Sequence, residues 1–159
     1  MSSGDDLILT IRRATEKDYP RLVEIMDESA DREELKGFTP PKHVTRKFLA
    51  QLKRQLRLAE HGVFIAETSQ KPVGFVFLLQ KNGCFEIDEI DVVKEHQKQG
   101  IGKSLVDVAE RFAMEKGSTS ILTGTAVNNE GKPWKAHGFW VHIGYRDTGN
   151  KTDSEHGLE

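Results

Sequence analysis

The sequence predicts an α/β or α+β fold, a mixed sheet with helices covering its faces. Two observations carry this expectation. Short apolar runs rich in β-branched and aromatic residues fall at 7–11, 63–66, 73–79, 85–93 and 120–127, and stretches of helical apolar spacing lie between them. The length, 159 residues, suits one domain, and such a chain buries roughly 70% of its unfolded surface without metal or disulfide staples.

The elements follow in order. Residues 7–11 read as a first strand ending at Arg12 and Arg13. Thr15 and Asp18 then supply helix-start chemistry, and Leu22, Ile25, Met26 and Ser29 place a helix over about 18–30. Pro40 and Pro41 exclude a helix interior. A second helix runs from Val44, with Phe48, Leu52, Leu56 and Ala59 as its stripe and Gly62 as its stop. The next two runs form a hairpin around Ser69–Pro72, and the Asn82-Gly83 turn leads into a third consecutive strand. Leu105, Val108, Ala109 and Phe112 mark a third helix that Gly117 ends. A strand over 120–127 and a short helix over 134–143 complete the order, and 1–6 and about 150–159 are expected to be flexible.

Composition removes several function classes. The formal net charge is −2, which gives no global case for nucleic acid or an anionic membrane. Lys42, Arg46, Lys47, Lys53, Arg54 and Arg57 make the second helix basic, a pattern read as a solvated face. Mean hydropathy is −0.54, no apolar run reaches the ~18 residues of a membrane span, and the polar start is unlike a secretory signal, so the expected location is cytoplasmic. Cys84 is the single cysteine and the six histidines lack ligand spacing, so no metal is expected.

The chemistry gathers where the third consecutive strand meets the third helix. Gln97, Lys98, Gln99, Gly100, Ile101, Gly102, Lys103 and Ser104 occupy this junction. Glycines there let a ligand approach the backbone, and a helix N-terminus adds partial positive charge, which suits phosphate or pyrophosphate. The plain alternative is a tight turn that needs glycine for geometry alone. A P-loop would require glycine in place of Gln97, and a dinucleotide fingerprint would require glycine in place of Leu105.

Gln97-x-x-Gly100-x-Gly102, preceded by Ile90-Asp91-Val92 and followed by an amphipathic helix, resembles the acetyl-CoA-binding motif of the GNAT superfamily of N-acetyltransferases. The order of elements is similar from residues 8–15 through 143–145. The resemblance implies a GNAT-like, mostly antiparallel sheet with a splayed strand pair, and direct acetyl transfer from acetyl-CoA to a primary amine. Backbone groups of Val92 and Val93 would hold the pantetheine arm and thioester, and residues 97–104 the pyrophosphate. Asn129 resembles the asparagine that contacts the CoA arm. A non-catalytic acyl-CoA-binding module or sensor is the alternative, with a P-loop-like nucleotide binder more remote.

Acetyl transfer needs a base, because an amine is mostly protonated at pH 7. Glu86 matches the family's glutamate base, with Asp88 and Glu89 as fallbacks. Simple alternation puts Glu86 and Asp88 on one face and Glu89 and Asp91 on the other until a bulge shifts the phase. Where the family often carries Phe-Tyr, this chain has Phe139-Trp140, so Trp140 is expected to pack beside the cosubstrate and not to act as an acid. His137 and His142 are nearby in sequence. The tail after Tyr145 is short, so a final strand is either missing or supplied by another subunit, as in a homodimer.

Overall fold

The computed structural model describes residues 8–29, 46–69, 71–124 and 136–148. One five-stranded sheet has the order β1 (Leu9–Arg13), β2 (Gly62–Thr68), β3 (Lys71–Lys81), β4 (Cys84–Val92), β5 (Ile121–Thr123). Strands β1 to β4 pair antiparallel, and the β4–β5 pair is parallel. The mixed, mostly antiparallel sheet is thus the one expected. The segments 1–6, 30–45 and 150–159, and Asn129, lie outside the described residues.

Helix α1 (Tyr19–Ser29) is entered through a 3₁₀ turn at Glu16–Asp18. Asp18 accepts the Thr15 backbone N–H at 2.8 Å, and Arg12 grips both carboxylate oxygens at 2.8 and 2.9 Å. That fork holds the Asp18 carboxyl below its usual range. The buried residues of α1 are Leu22, Ile25, Met26 and Ser29, the stripe read from spacing.

Helix α2 (Arg46–Leu56) buries Phe48, Leu52 and Leu56 but stops short of Ala59, which is exposed. The backbone N–H groups of Arg57 and Leu58 bond three residues back, to Arg54 and Gln55, and tighten the end. Gly62 does not stop a helix; it opens β2 under a ring. A Cβ there would stand 3.0 Å from Phe112 Cε2 and 3.1 Å from Leu78 Cβ. Of the basic α2 residues, Arg57 bonds Glu16 at 3.0 Å and Lys53 lies over the Tyr19 ring.

Helix α3 (Ile101–Glu115) covers one face of the sheet, where Phe112 meets Phe64 and Phe85 edge-on. Helices α1 and α2 cover the other, where Phe48 meets Phe77 and Ser29 reaches Asp91. The hairpin between β3 and β4 turns on Asn82 (φ 51°) and Gly83 (φ 81°), the two left-handed residues of a type I′ turn. Strand β5 spans three residues, shorter than the run in the sequence. Helix α4 (Ala136–His142) follows, and among the described residues no strand follows it.

Candidate active site

Strand β4 changes phase at Asp88. Phe77 pairs with Glu89 and Leu78 with Ile87, so Asp88 is the extra residue of a β-bulge. The consequence follows from the pairings. Phe85 touches α3 through Phe112, and Ile87 shares that face; after the bulge Ile90 and Val92, opposite Val76 and Gly74, share it as well. Glu86, opposite Leu79, lies on the α1/α2 face, and so does Glu89, opposite Phe77. Simple alternation had separated Glu89 from Glu86; the bulge returns it to the same face, along with Asp91.

Lys81 completes this face. Its Nζ lies 3.4 Å from Glu86 Oε1 and 3.4 Å from Asp88 Oδ1. The Asp88 side chain is 7% exposed, and that of Glu86 is 27% exposed. A shallow concavity lined by Lys81, Asn82, Cys84, Glu86 and Leu122 opens beside Glu86. The sequence reading missed Lys81. Its signal was available, because a two-residue Asn-Gly turn fixes the residue before it diagonally opposite Glu86.

Strand β5 pairs only with residues 85–87 of β4, so among the described residues the outer edge of β4 is open beyond Ile87. Alternate residues of a strand direct their backbone groups to opposite sides. Val93 donates its N–H to Val73 at 2.8 Å and accepts from His96, so its backbone is committed to the fold and not free as expected. Val92 therefore points outward, and its carbonyl accepts from Gln97 Nε2 at 2.8 Å. Ile90, two residues earlier, also faces the open edge. Gln97 thereby ties the loop to the end of β4.

The loop then delivers α3. Lys98 (φ 64°) and Gly100 (φ 85°) are both left-handed, and no atom would meet a Cβ at Gly100 within 4 Å. Gly100 serves conformation. Gly102 is different: a Cβ there would stand 3.2 Å from two carbons of the Phe139 ring. The plain packing alternative thus holds for Gly102, whose missing side chain seats α4 against α3. No side chain caps α3, and its first turn holds no acid, so the N–H groups of Ile101, Gly102 and Lys103 have no helical acceptor. Gln99 is exposed here, Ser104 donates its N–H to Gly100 at 3.1 Å, and Lys103 pairs with Asp107 at 3.0 Å. The arrangement suits an anion.

Trp140 is 6% exposed, between the Phe139 ring at 5.1 Å and the Tyr145 ring at 4.9 Å. It is part of the core. The Tyr145 hydroxyl donates to Glu110 at 2.8 Å, and burial together with that carboxylate pushes its pKa up. The Tyr145 hydroxyl is thus engaged with α3, and the indole N–H of Trp140 is a donor but not an acid. His142 is exposed, and the side chain of His137 lies outside the described residues. Among the described residues no group of His, Cys, Asp and Glu is set to hold a metal, and no helix is long and apolar enough to cross a membrane.

Residues 22–145 match the model of the acetyltransferase (GNAT) family. An uncharacterised N-acetyltransferase of Methanocaldococcus jannaschii is 27% identical over 146 residues, 87% of this chain; the chain spans 61% of that relative's length. Among solved structures, the PaiA N-acetyltransferase of Thermoplasma acidophilum in complex with coenzyme A is similar with a TM-score of 0.74 at 18% identity, over 91% of this chain and 93% of its own. The aminoglycoside acetyltransferase AAC(6')-Iy, in complex with a CoA-based bisubstrate analogue, gives 0.67 at 19%, over 92% and 96%. The ribosomal-protein-alanine N-acetyltransferase of Brucella melitensis gives 0.62 at 16%, over 92% and 97%. These likenesses establish the fold, and the family model covers well over half of the sequence. The chain belongs to the acetyltransferase (GNAT) family.

Proposed function

We propose that this chain is an N-acetyltransferase that moves the acetyl group of acetyl-CoA directly to a primary amine, with residues 1–159 as one such domain. The observation that carries the reading is the uncapped start of α3, next to the edge of β4 that β5 leaves open. Bound acetyl-CoA supplies an activated thioester. In this reading the N–H groups of residues 101–103 hold its pyrophosphate, with Lys98 and Lys103 adding charge. An outward N–H of β4, at Ile90 or Val92, stabilises the thioester oxygen as negative charge develops on it. Glu86 takes the proton from the acceptor ammonium, directly or through water, and Asp88 and Glu89 are the fallbacks on the same face. No protein acid is needed for the leaving thiolate, since a thiol of pKa about 8.5 is a tolerable leaving group near pH 7.

The acceptor is sought among amines of several classes, two of which, aminoglycosides and alanine N-termini, the relatives' names suggest. Purified chain with acetyl-CoA is assayed for thiol release against kanamycin, an alanine-initiated peptide, spermidine and free amino acids. Release that depends on one acceptor supports the proposal. Saturable acetyl-CoA binding without release for any amine favours the acyl-CoA sensor, the reading that the buried Trp140 leaves open. A cytoplasmic location, and a homodimer in which a second copy adds a strand beyond β5, complete the proposal. Light scattering of the purified chain tests the latter.

A further inference from the structure

We propose that Gln97 is a positioning residue for acetyl-CoA: its side-chain amide takes up the outward carbonyl of Val92 and so sets what the open edge of β4 offers the pantetheine arm and thioester. What remains beyond the bulge is the N–H of Ile90, the N–H of Val92 and the carbonyl of Ile90. The inference rests on acetyl-CoA as the cosubstrate. Strand alternation turns the backbone groups of Ile90 and Val92 away from β3, and β5 ends its pairing at Ile87. An extended arm laid along such an edge pairs as a further strand would, donor to acceptor. A bare carbonyl at Val92 would offer that arm a second register, two residues along. It would also set partial negative charge beside the oxygen on which negative charge develops. Gln97 Nε2 donates to this carbonyl at 2.8 Å and removes both alternatives.

The contact is held from both sides. The peptide between Val92 and Val93 gives its N–H to the Val73 carbonyl at 2.8 Å, so its plane is pinned between β3 and Gln97. Gly74, opposite Val92, lets the two strands close: a Cβ there would stand 3.0 Å from the Asp91 carbonyl oxygen and 3.2 Å from Val92 Cγ2. A single 3₁₀ turn, Lys94–His96, delivers Gln97, with N–H bonds from His96 to Val93 at 2.9 Å and from Gln97 to Lys94 at 3.3 Å. The half-buried Gln97 side chain is therefore committed to β4, and the uncapped start of α3 is left to the pyrophosphate. One residue thus couples the phosphate end of the site to its thioester end.

Acetyl-CoA titrations of the whole chain, followed by backbone amide NMR in wild type and variants, need no acceptor. In Gln97→Met, similar in length but without a donor, the saturable shifts at residues 99–104 are expected to persist with Kd within about threefold of wild type. Those at Ile90 and Val92 should fall to about half or less, because their N–H groups no longer meet the arm in one register. Gln97→Arg, which still donates, should keep both sets. With the panel amine of highest turnover, kcat of Gln97→Met should drop about tenfold while the acetyl-CoA KM stays within about threefold. Undiminished shifts at Ile90 and Val92 in folded Gln97→Met overturn the proposal. So does an equal loss at both sets, which a merely structural role would give, or Gln97→Arg behaving like Gln97→Met. If Gln97→Met does not fold, Gln97→Leu is judged by the same criteria. Wild type without saturable shifts at either set removes acetyl-CoA from this site and the role of Gln97 with it. Wild-type shifts at both sets beside an unaltered Gln97→Met remove only the role of Gln97.

Discussion

The two faces of β4 are built from the same nine residues and do opposite things. Toward α3 the strand shows Phe85, Ile87, Ile90 and Val92, closed over by Leu105, Phe112 and their neighbours. Toward α1 and α2 it shows Glu86, Glu89 and Asp91, with Asp88 at the bulge and Lys81 between Glu86 and Asp88. The apolar face is bought with one irregularity, since a strict period of two would have put Glu89 against α3 and Ile90 against the acids. The bulge thus lets one strand hold the core along its whole length and keep its carboxylates together.

The largest expected effect tests the acidic face. Glu86→Gln should lower kcat at pH 7 by about 10²–10⁴ and leave the acetyl-CoA KM nearly unchanged, read from initial rates of thiol release. The loss should shrink at high pH, where more of the amine is already neutral. The matching blow to the apolar face is Phe112→Ala. Phe112 is 6% exposed and meets Phe64 at 5.5 Å and Phe85 at 5.4 Å. Its truncation should cost about 3–5 kcal/mol in urea unfolding. If instead Phe112→Ala spares stability, or Glu86→Gln unfolds the chain, the division of labour between the faces is wrong.

Most of the apolar face was legible in the sequence, because burial imposes its period on residue type. The stripe of α1 and the stripe of α2 up to Leu56 appear as read. The bulge is also written there: Phe85, Ile87, Ile90 and Val92 are spaced two, three, two, and the step of three is the extra residue. The acidic face was less legible, since charged residues carry no period of their own and take their facing from the apolar neighbours. Ala59 misled because alanine fits a helix stripe or an exposed turn equally well. Gly102 carries two readings at once. A glycine beside a ligand and a glycine beneath a ring look alike until Phe139 is placed.

Gly102 stands between ligand and core, and its substitution acts on both at a smaller scale. Gly102→Glu should abolish the rise in Tm that acetyl-CoA produces, by placing negative charge where phosphate binds, and it should also lower the basal Tm by displacing Phe139. Gly102→Ala is the control, with the ring displaced by a few tenths of an ångström and most of the ligand-induced rise kept. An undiminished rise in folded Gly102→Glu would remove the phosphate from this helix end. The smallest effect lies away from β4, at His61. This residue is 4% exposed; Nε2–H donates to the Ala14 carbonyl at 2.9 Å and Nδ1 accepts the Val63 N–H at 3.1 Å. Burial pushes its pKa below 6.5, so the unfolded chain takes up the proton first. His61 therefore contributes fully above pH 6.5, and that contribution is lost as pH falls below it. Asp18, also held low, keeps its share above the usual carboxylate range and loses it as pH falls through 3.8 and below. Urea midpoints followed downward from pH 7 should fall more steeply for wild type than for His61→Gln.

Backbone amide NMR during titration with acetyl-CoA reports each N–H proposed to hold the cosubstrate. The largest shifts are expected at residues 99–104 and at Ile90 and Val92, with the amide of Val93, already bonded to Val73, moving less. Saturable shifts that avoid the start of α3 and the outer edge of β4, or no saturable shifts at all, would contradict it.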